Sequence, residues 1–208
     1  MPMLIETSLL SSKIKISVDH EKLGNYSQSQ FRFYLKYSSL VLRALANSSF
    51  QKFLRWMLTK EGIEDQIVKA VDVNVLPSRR KNGKGIAGNC NTARGRIRIY
   101  PKTIKFCQIF KRRFGRPALL FYAGNRARAA LIHELLHLKY VEDERTVREL
   151  AEDYFGIFTQ KRFVQSSRAL CTLLFVTNSV EKACSGSSCD FKDGDKPNRD
   201  MFKSRLCA

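Results

Sequence analysis

The sequence of 208 residues lacks any apolar run long enough to cross a membrane. Its longest apolar runs, 118–123 and 170–176, are much shorter than a membrane-spanning helix, which needs ~20 residues. The N-terminus also lacks the basic segment and apolar core of a secretory signal. These absences exclude a protein with helical membrane spans and predict a soluble protein in the cytoplasm.

Cysteine is present, but never in the CxxC pairs that form zinc ribbons and redox motifs. In a cytoplasmic chain we expect these irregularly spaced residues to be free thiols: Cys90, Cys107, Cys171, Cys184, Cys189 and Cys207. The sequence also lacks the glycine and lysine pattern of a phosphate-binding loop. It therefore offers neither a CxxC-type metal site nor a nucleotide site of that kind.

Acidic residues are scarce: the chain has 19 Asp and Glu but 37 Lys and Arg, which gives a net charge of +18. None lies between Val73 and His133. A segment of one charge sign favours a polyanion such as nucleic acid as partner, although an ordinary solvated basic face explains it equally well. No zinc-finger or RNA-binding motif accompanies it. Its cations, in the interval 79–128, are Arg79, Arg80, Lys81, Lys84, Arg94, Arg96, Arg98, Lys102, Lys105, Lys111, Arg112, Arg113, Arg116, Arg126 and Arg128.

The first third of the sequence alternates between strand and helix patterns. Apolar residues at every second position predict a strand near 14–18. Apolar residues at helical spacing predict two helices within 30–58, separated at the polar residues 47–49. A short helix over 63–71 and a strand over 71–76 are predicted to follow.

The middle of the sequence begins with a loop-like interval, 77–95, rich in Gly, Asn and Ser. The alternating residues 96–100, which stop at a proline, predict an exposed or edge strand. Helices are predicted over 102–114, 125–140 and 143–158, with Asp143 as the N-cap of the last.

These segments predict an α+β chain in four parts. An N-terminal helical extension, 1–70, packs on a catalytic domain, 71–160, with a small mixed sheet. A helical segment is predicted over 161–184 and a flexible polar tail over 185–208.

The strongest chemical signal is the run His133-Glu134-Leu135-Leu136-His137, which contains two of only three histidines in the chain. On a helix, residues four apart lie on one face, so both imidazoles can bind one metal ion. Glu134 is then placed to act as general base towards a metal-activated water. The surrounding residues are apolar, and imidazoles on a buried helix need partners.

A catalytic zinc site needs a third protein ligand, and no histidine follows the motif. Amphipathicity of the helix over 143–158 places Glu144 nearer the core than Glu149. The spacing of Glu149 and Asp153, one helical turn apart, instead suits a ligand and a second carboxylate that orients a ligand imidazole. Glu149 is our preferred third ligand, with Glu144 and Asp143 as alternatives.

The HExxH motif followed by Glu149 and Asp153 resembles the gluzincins, zinc metallopeptidases with a glutamate ligand on a following helix. The short distance between the motifs most resembles the archaeal minigluzincins, which are compact soluble relatives of membrane-bound peptidases. The resemblance covers roughly 72–160 and implies a compact zincin-like fold, a Zn²⁺ cofactor and hydrolysis of peptide or protein substrates. It assigns His133, His137 and Glu149 as ligands, Glu134 as base and Asp153 as the orienting carboxylate.

The same resemblance implies that the strand before the active-site helix pairs with extended substrate: Arg96, Ile97, Arg98, Ile99 and Tyr100. An ordinary member of the sheet explains this strand almost equally well. Tyr140, Arg145 and Tyr154 are candidates for stabilising the oxyanion. Only eleven residues separate His137 from Glu149, fewer than in large relatives, so the two helices must form a tight hairpin.

Two alternative functions remain open at this point. The first is a basic, nucleic-acid-associated protein whose zinc site is structural or degenerate. The second is a DNA-linked protease of the SprT type, which also uses HExxH. The SprT family places a third histidine soon after its motif, where this chain has only acidic residues.

Overall fold

A computed structural model of the chain describes residues 7–9, 12–78, 83 and 85–160. Within them lie five strands, β1 Thr7–Leu9, β2 Ser12–Ser17, β3 Ala70–Asn74, β4 Gly88–Asn91 and β5 Arg96–Ile99. The helices are α1 His20–Leu23, α2 Gln28–Leu45, α3 Ser48–Glu61, α4 Ile104–Tyr140 and α5 Glu144–Gln160. The predicted α+β class is confirmed, and the predicted segments 161–184 and 185–208 lie outside the described residues.

The strands form one mixed sheet in the order β1-β2-β3-β5-β4. The inner pairs, β2 with β3 and β3 with β5, are parallel, whereas the outer pairs are antiparallel. Parallel neighbours need a long crossover connection, and helices α2 and α3 provide the one between β2 and β3. The small mixed sheet predicted from the sequence is therefore present.

The prediction that residues 96–100 form an edge strand is wrong. Strand β5 pairs with β3 on one side and with β4 on the other, and Ile97 is 0% exposed. The edge of the sheet is β4, which lies in the interval predicted to be a loop. An extended substrate cannot pair with Arg96, Ile97, Arg98, Ile99 or Tyr100 while β4 occupies that side.

Helices α2 and α3 begin at well-formed caps. Ser27 and Gln30 form a reciprocal capping box at the start of α2, and the side chain of Asn47 accepts a hydrogen bond from the backbone of Phe50 at the start of α3. The predicted break at 47–49 is confirmed. The predicted helix over 63–71 is only a short 3-10 turn, Asp65–Ile67.

Helix α4 consists of two segments separated at Gly115, whose φ of 84° interrupts the helix. The first segment ends where the sequence predicted. The second begins soon after Gly115 rather than at Asn125, because Pro117 is tolerated in the first turn of a helix. This second segment carries the HExxH motif and ends at Tyr140.

The helices and the sheet enclose one main hydrophobic core. Ile14 of β2 and Leu42 of α2 are buried in the same cluster as Leu131 of α4 and Val147 of α5. Residues on both sides of the predicted boundary at 70 therefore contribute to one core. The division of the chain at that boundary stays a prediction.

Candidate metal centre

The two motif histidines lie on one face of α4 with their rings nearly perpendicular. His133 Nε2 and His137 Nε2 are 3.2 Å apart, and the ring centroids are 4.8 Å apart. The neighbouring Leu131, Leu135 and Leu136 are fully buried, so the helix is fixed by packing and the two imidazoles are held close together.

The third member of the group is Glu144, at the start of α5. Its Oε1 lies 3.7 Å from His133 Nε2 and its Oε2 lies 3.4 Å from His137 Nε2. Ligand atoms of all three residues lie within 4.8 Å of one another. Two ligands of a tetrahedral zinc with bonds of about 2.0–2.1 Å are about 3.3 Å apart. The spacing and the chemistry of these two nitrogens and one carboxylate therefore fit a metal ion.

A backbone carbonyl fixes the orientation of the second imidazole. His137 Nδ1 lies 2.7 Å from the carbonyl oxygen of Val141. Because a carbonyl oxygen only accepts, Nδ1 is the donor, and in the neutral ring Nε2 then carries a lone pair. This is the arrangement that metal-binding histidines adopt, with the second ring nitrogen hydrogen-bonded.

The turn that supplies this carbonyl is strained. Val141 has φ 38° and ψ −89°, a conformation that is unusual for a β-branched residue. Its N–H donates to the carbonyl of His137 over 3.1 Å. The backbone of Val141 is thus bonded twice to His137, and strain of this kind often occurs at functional sites.

Asp143, one of the alternative ligands, has a different role. Its Oδ1 accepts a hydrogen bond of 3.0 Å from the backbone N–H of Thr146. Hydrogen bonds from the side chain of Thr146 and, second, from its backbone lower the pKa of the Asp143 carboxyl. Asp143 therefore acts as the predicted N-cap of α5. The short link between α4 and α5 forms the tight hairpin that the sequence requires.

The structure does not bring Glu149, our preferred third ligand, to the two histidines. Glu149 is 66% exposed and pairs with Arg145 at 3.1 Å. With 3.6 residues per turn, Glu149 lies about 140° and Asp153 about 180° around α5 from Glu144. Val147 and Ala151, on the same side as Glu144, are buried. The face of α5 that packs on α4 therefore carries Glu144, and Asp153 is exposed.

Glu134 is only 7% exposed and points towards the edge strand. The nearest atoms to the position of a side chain on Gly88 of β4 belong to Glu134. Burial raises the pKa of the Cys90 thiol, also on β4, to about 12, with a further contribution from the charge of Glu134. The proposed general base thus lies between the motif helix and the edge of the sheet.

A second carboxylate, Glu61 of α3, joins three helices at the end of α4. It accepts hydrogen bonds from Tyr140 at 2.7 Å, from Lys139 at 3.1 Å and from Tyr154. Burial alone would raise the pKa of Glu61, but these hydrogen bonds outweigh it and lower the pKa.

Sequence reasoning did not find this cluster, because Glu61 lies 79 residues before Tyr140 and 93 before Tyr154. No local pattern connects them. Both tyrosine hydroxyls donate to Glu61, and the guanidinium of Arg145 pairs with Glu149. The structure therefore places none of the three candidate oxyanion stabilisers at the histidine pair.

Two cations of the basic stretch donate to backbone carbonyl groups of other parts of the chain. Arg126 donates to the carbonyl oxygens of Tyr100 at 2.6 Å and Ile86 at 3.2 Å. Arg128 donates to the carbonyl of Ala44 at 3.2 Å and lies over the rings of Phe50 and Phe158. These two residues hold the fold together. Four predicted cations lie outside the described residues: Arg79, Arg80, Lys81 and Lys84.

Within the described ranges, no helix is both long and apolar enough to cross a membrane. Comparisons with protein families, with curated proteins and with solved structures find no match for the chain.

Proposed function

We propose that this protein is a zinc-dependent endopeptidase in which His133, His137 and Glu144 bind the metal and Glu134 is the general base. The observation that carries the proposal is the meeting of two imidazole nitrogens and a carboxylate where α4 turns into α5, next to a buried glutamate on the motif helix. The HExxH motif and its resemblance to the gluzincins support the same function.

The ligand set favours zinc over other common metals. Two imidazoles and one carboxylate form a known catalytic zinc donor set, with the fourth position left for water or substrate. Magnesium and calcium prefer oxygen ligands. Glu144 remains 47% exposed, so the metal site is open to solvent, as a hydrolase site must be.

The residues of the chain divide the work of hydrolysis. Zinc at this site would supply a Lewis acid that lowers the pKa of water and polarises the scissile carbonyl. Glu134 accepts the proton from the attacking water and passes it to the leaving amine. The Val141 carbonyl holds His137 in the binding tautomer, and the backbone of β4, at the sheet edge, offers hydrogen bonds to an extended substrate.

The first experiment is a measurement of zinc per chain by elemental analysis. We expect about one zinc in the wild type and its loss in His137→Ala and Glu144→Ala. Glu149→Ala is the matched control, because it removes the same side chain from another face of α5. Loss of zinc in Glu149→Ala with retention in Glu144→Ala would move the third ligand to Glu149. No zinc in the wild type after reconstitution would overturn the proposed function.

The second experiment measures hydrolysis of a denatured protein such as casein. We expect Glu134→Gln to keep its zinc and to lose hydrolysis by at least about 10²-fold, the usual contribution of a general base. Equal hydrolysis by Glu134→Gln and the wild type would exclude Glu134 from the reaction. Zinc binding without any hydrolysis would instead favour a structural metal site.

Polyanion binding is a second candidate function, supported by four exposed cations beside the interruption of α4: Lys111, Arg112, Arg113 and Arg116. Within the described part of the chain, none of these four side chains forms an ion pair with a carboxylate. Reversing two of these charges, Arg112→Glu with Arg116→Glu, should weaken salt-dependent binding to DNA or RNA. The control is Lys36→Glu with Lys52→Glu on α2 and α3; equal effects of both pairs would exclude a defined surface.

A further inference from the structure

We infer that Gly88 is a positioning residue for Glu134, because its missing side chain leaves the space that the Glu134 carboxylate occupies. This inference rests on the proposed function for its catalytic consequence. Its structural part stands on the packing of α4 against β4, which nothing in the sequence motif specifies.

The contact between these two residues is very close. A β-carbon added to Gly88 would lie 2.7 Å from both Cγ and Oε1 of Glu134, and 3.0 Å from Cδ. Non-bonded carbon atoms are best separated by about 3.5–4.0 Å. A methyl group at position 88 and the present Glu134 side chain therefore cannot coexist.

The backbone does not require glycine at this position. The described glycines with positive φ are Gly62, Gly83, Gly95 and Gly115, and Gly88 is not among them. Gly88 lies in regular antiparallel pairing opposite Ile99, where any residue is compatible with the strand. The need for glycine arises from the close approach of Glu134.

The closest contacts of a methyl group at position 88 would be with one side chain, that of Glu134. The three closest atoms, Cγ, Oε1 and Cδ, all belong to the side chain of Glu134 and none to the backbone, so a rotation of that side chain relieves the clash. None belongs to His133, His137 or Glu144. Gly88→Ala should therefore displace the carboxylate of Glu134 without disturbing the metal ligands or the strand.

The test compares Gly88→Ala with Gly85→Ala, a matched control in the same segment. A β-carbon on Gly85 meets only the carbonyl oxygen of Ser78, at 3.9 Å. We expect both variants to keep the wild-type zinc content. Gly88→Ala should lower kcat for casein hydrolysis by at least about 10²-fold with little change in KM, the effect of losing a general base; Gly85→Ala should match the wild type.

Two further measurements separate positioning from general damage. In the Glu134→Gln background, Gly88→Ala should cause no further loss of kcat, because the base is already absent. Burial keeps the Cys90 thiol protonated and the nearby Glu134 charge adds to this effect, so Cys90 should be alkylated faster in Gly88→Ala than in Gly85→Ala. Peptide-resolved mass spectrometry measures this rate without any substrate.

Folding is checked by thermal melting of Gly88→Ala alone and combined with Glu134→Ala, which removes the clashing atoms. If the single variant unfolds and the double variant folds, the close contact is confirmed. If both unfold, glycine is needed for another reason and the inference is wrong. If Glu134→Gln abolishes hydrolysis while Gly88→Ala hydrolyses normally, the inference fails and the proposed function stands. If the wild type does not hydrolyse casein, the alkylation rates of Cys90 still test the contact between Gly88 and Glu134.

Discussion

Two carboxylates, Glu61 and Glu144, lie near the C-terminal end of α4, and their surroundings are opposite. Glu61 is 9% exposed and accepts hydrogen bonds from two hydroxyl groups and an ammonium group. Glu144 is 47% exposed and faces two imidazole nitrogens. Its other partner is the exposed Arg148, at 3.4 Å.

This difference separates a structural carboxylate from one suited to metal binding. The donors around Glu61 balance its charge and join α3, α4 and α5. The carboxylate of Glu61 therefore needs no further partner from outside the protein. With His137 in its neutral form, Glu144 and His137 Nε2 instead present lone pairs to one another, an arrangement that a shared cation stabilises. The predictions below test whether the two carboxylates have these separate roles.

The largest expected effect is stabilisation by zinc that depends on Glu144 and not on Glu61. A ligand that binds only the folded state adds about 4 kcal/mol when its free concentration is about 1,000 times the dissociation constant. We expect such a gain for the wild type and for Glu61→Gln, and little gain for Glu144→Gln. Urea denaturation with zinc or with a chelator measures it; an equal gain in all three proteins would remove the distinction.

The next effect in size is the loss of stability in Glu61→Gln without added metal. The amide keeps the shape of the side chain but replaces one carboxylate oxygen by an NH₂ group. This new donor faces a hydroxyl or ammonium group that donated to the oxygen in the wild type. Loss of a hydrogen bond to a charged group costs about 1.5–3 kcal/mol. Glu149→Gln, an exposed change of the same kind, is the control and should cost far less. A Glu61→Gln protein as stable as the wild type would mean that the cluster is not structural.

The sequence alone predicts the parts of this site that depend on local chemistry. Helical spacing brings His133 and His137 together, and Asp143 is recognisable as a cap. The third ligand is harder, because the Glu149 and Asp153 spacing and the amphipathicity of α5 favour different residues. In the structure the apolar face determines how α5 packs, and it carries Glu144.

Long-range features could not be predicted from local patterns. Strand β4 is made of glycine, asparagine and cysteine, so it lacks the apolar alternation that identifies a strand. The alternation of Arg96 and Ile97 shows that one face of β5 is buried but does not show which strands flank it. For the same reason, the approach of Gly88 to Glu134 is visible only once α4 packs on the sheet.

A smaller effect is the dependence of the free energy of unfolding on pH that the Glu61 carboxyl causes. Its pKa in the folded protein is lowered from the ordinary value of 4.5. The ionised carboxylate therefore contributes stability above that value, and this contribution is lost as pH falls through the lowered pKa. Denaturation in chelator between neutral and acid pH should show a steeper loss of stability below pH 4.5 for the wild type than for Glu61→Gln. Parallel curves would contradict the assigned pKa shift.

The smallest effect is expected for Val141→Gly. This variant tests whether the backbone carbonyl of residue 141 or the valine side chain orients the imidazole of His137. The carbonyl that orients His137 belongs to the backbone, so removing the side chain leaves that hydrogen bond intact. Glycine accepts the positive φ that strains valine, and Val141 is 56% exposed, so little buried area is lost. Relief of strain and the greater flexibility of the unfolded chain oppose each other, giving a net change within about 1 kcal/mol. Zinc affinity should stay within about tenfold of the wild type, the lower limit for losing an orienting partner. A larger loss of affinity would show that the valine side chain itself, and not the carbonyl that it carries, fixes His137.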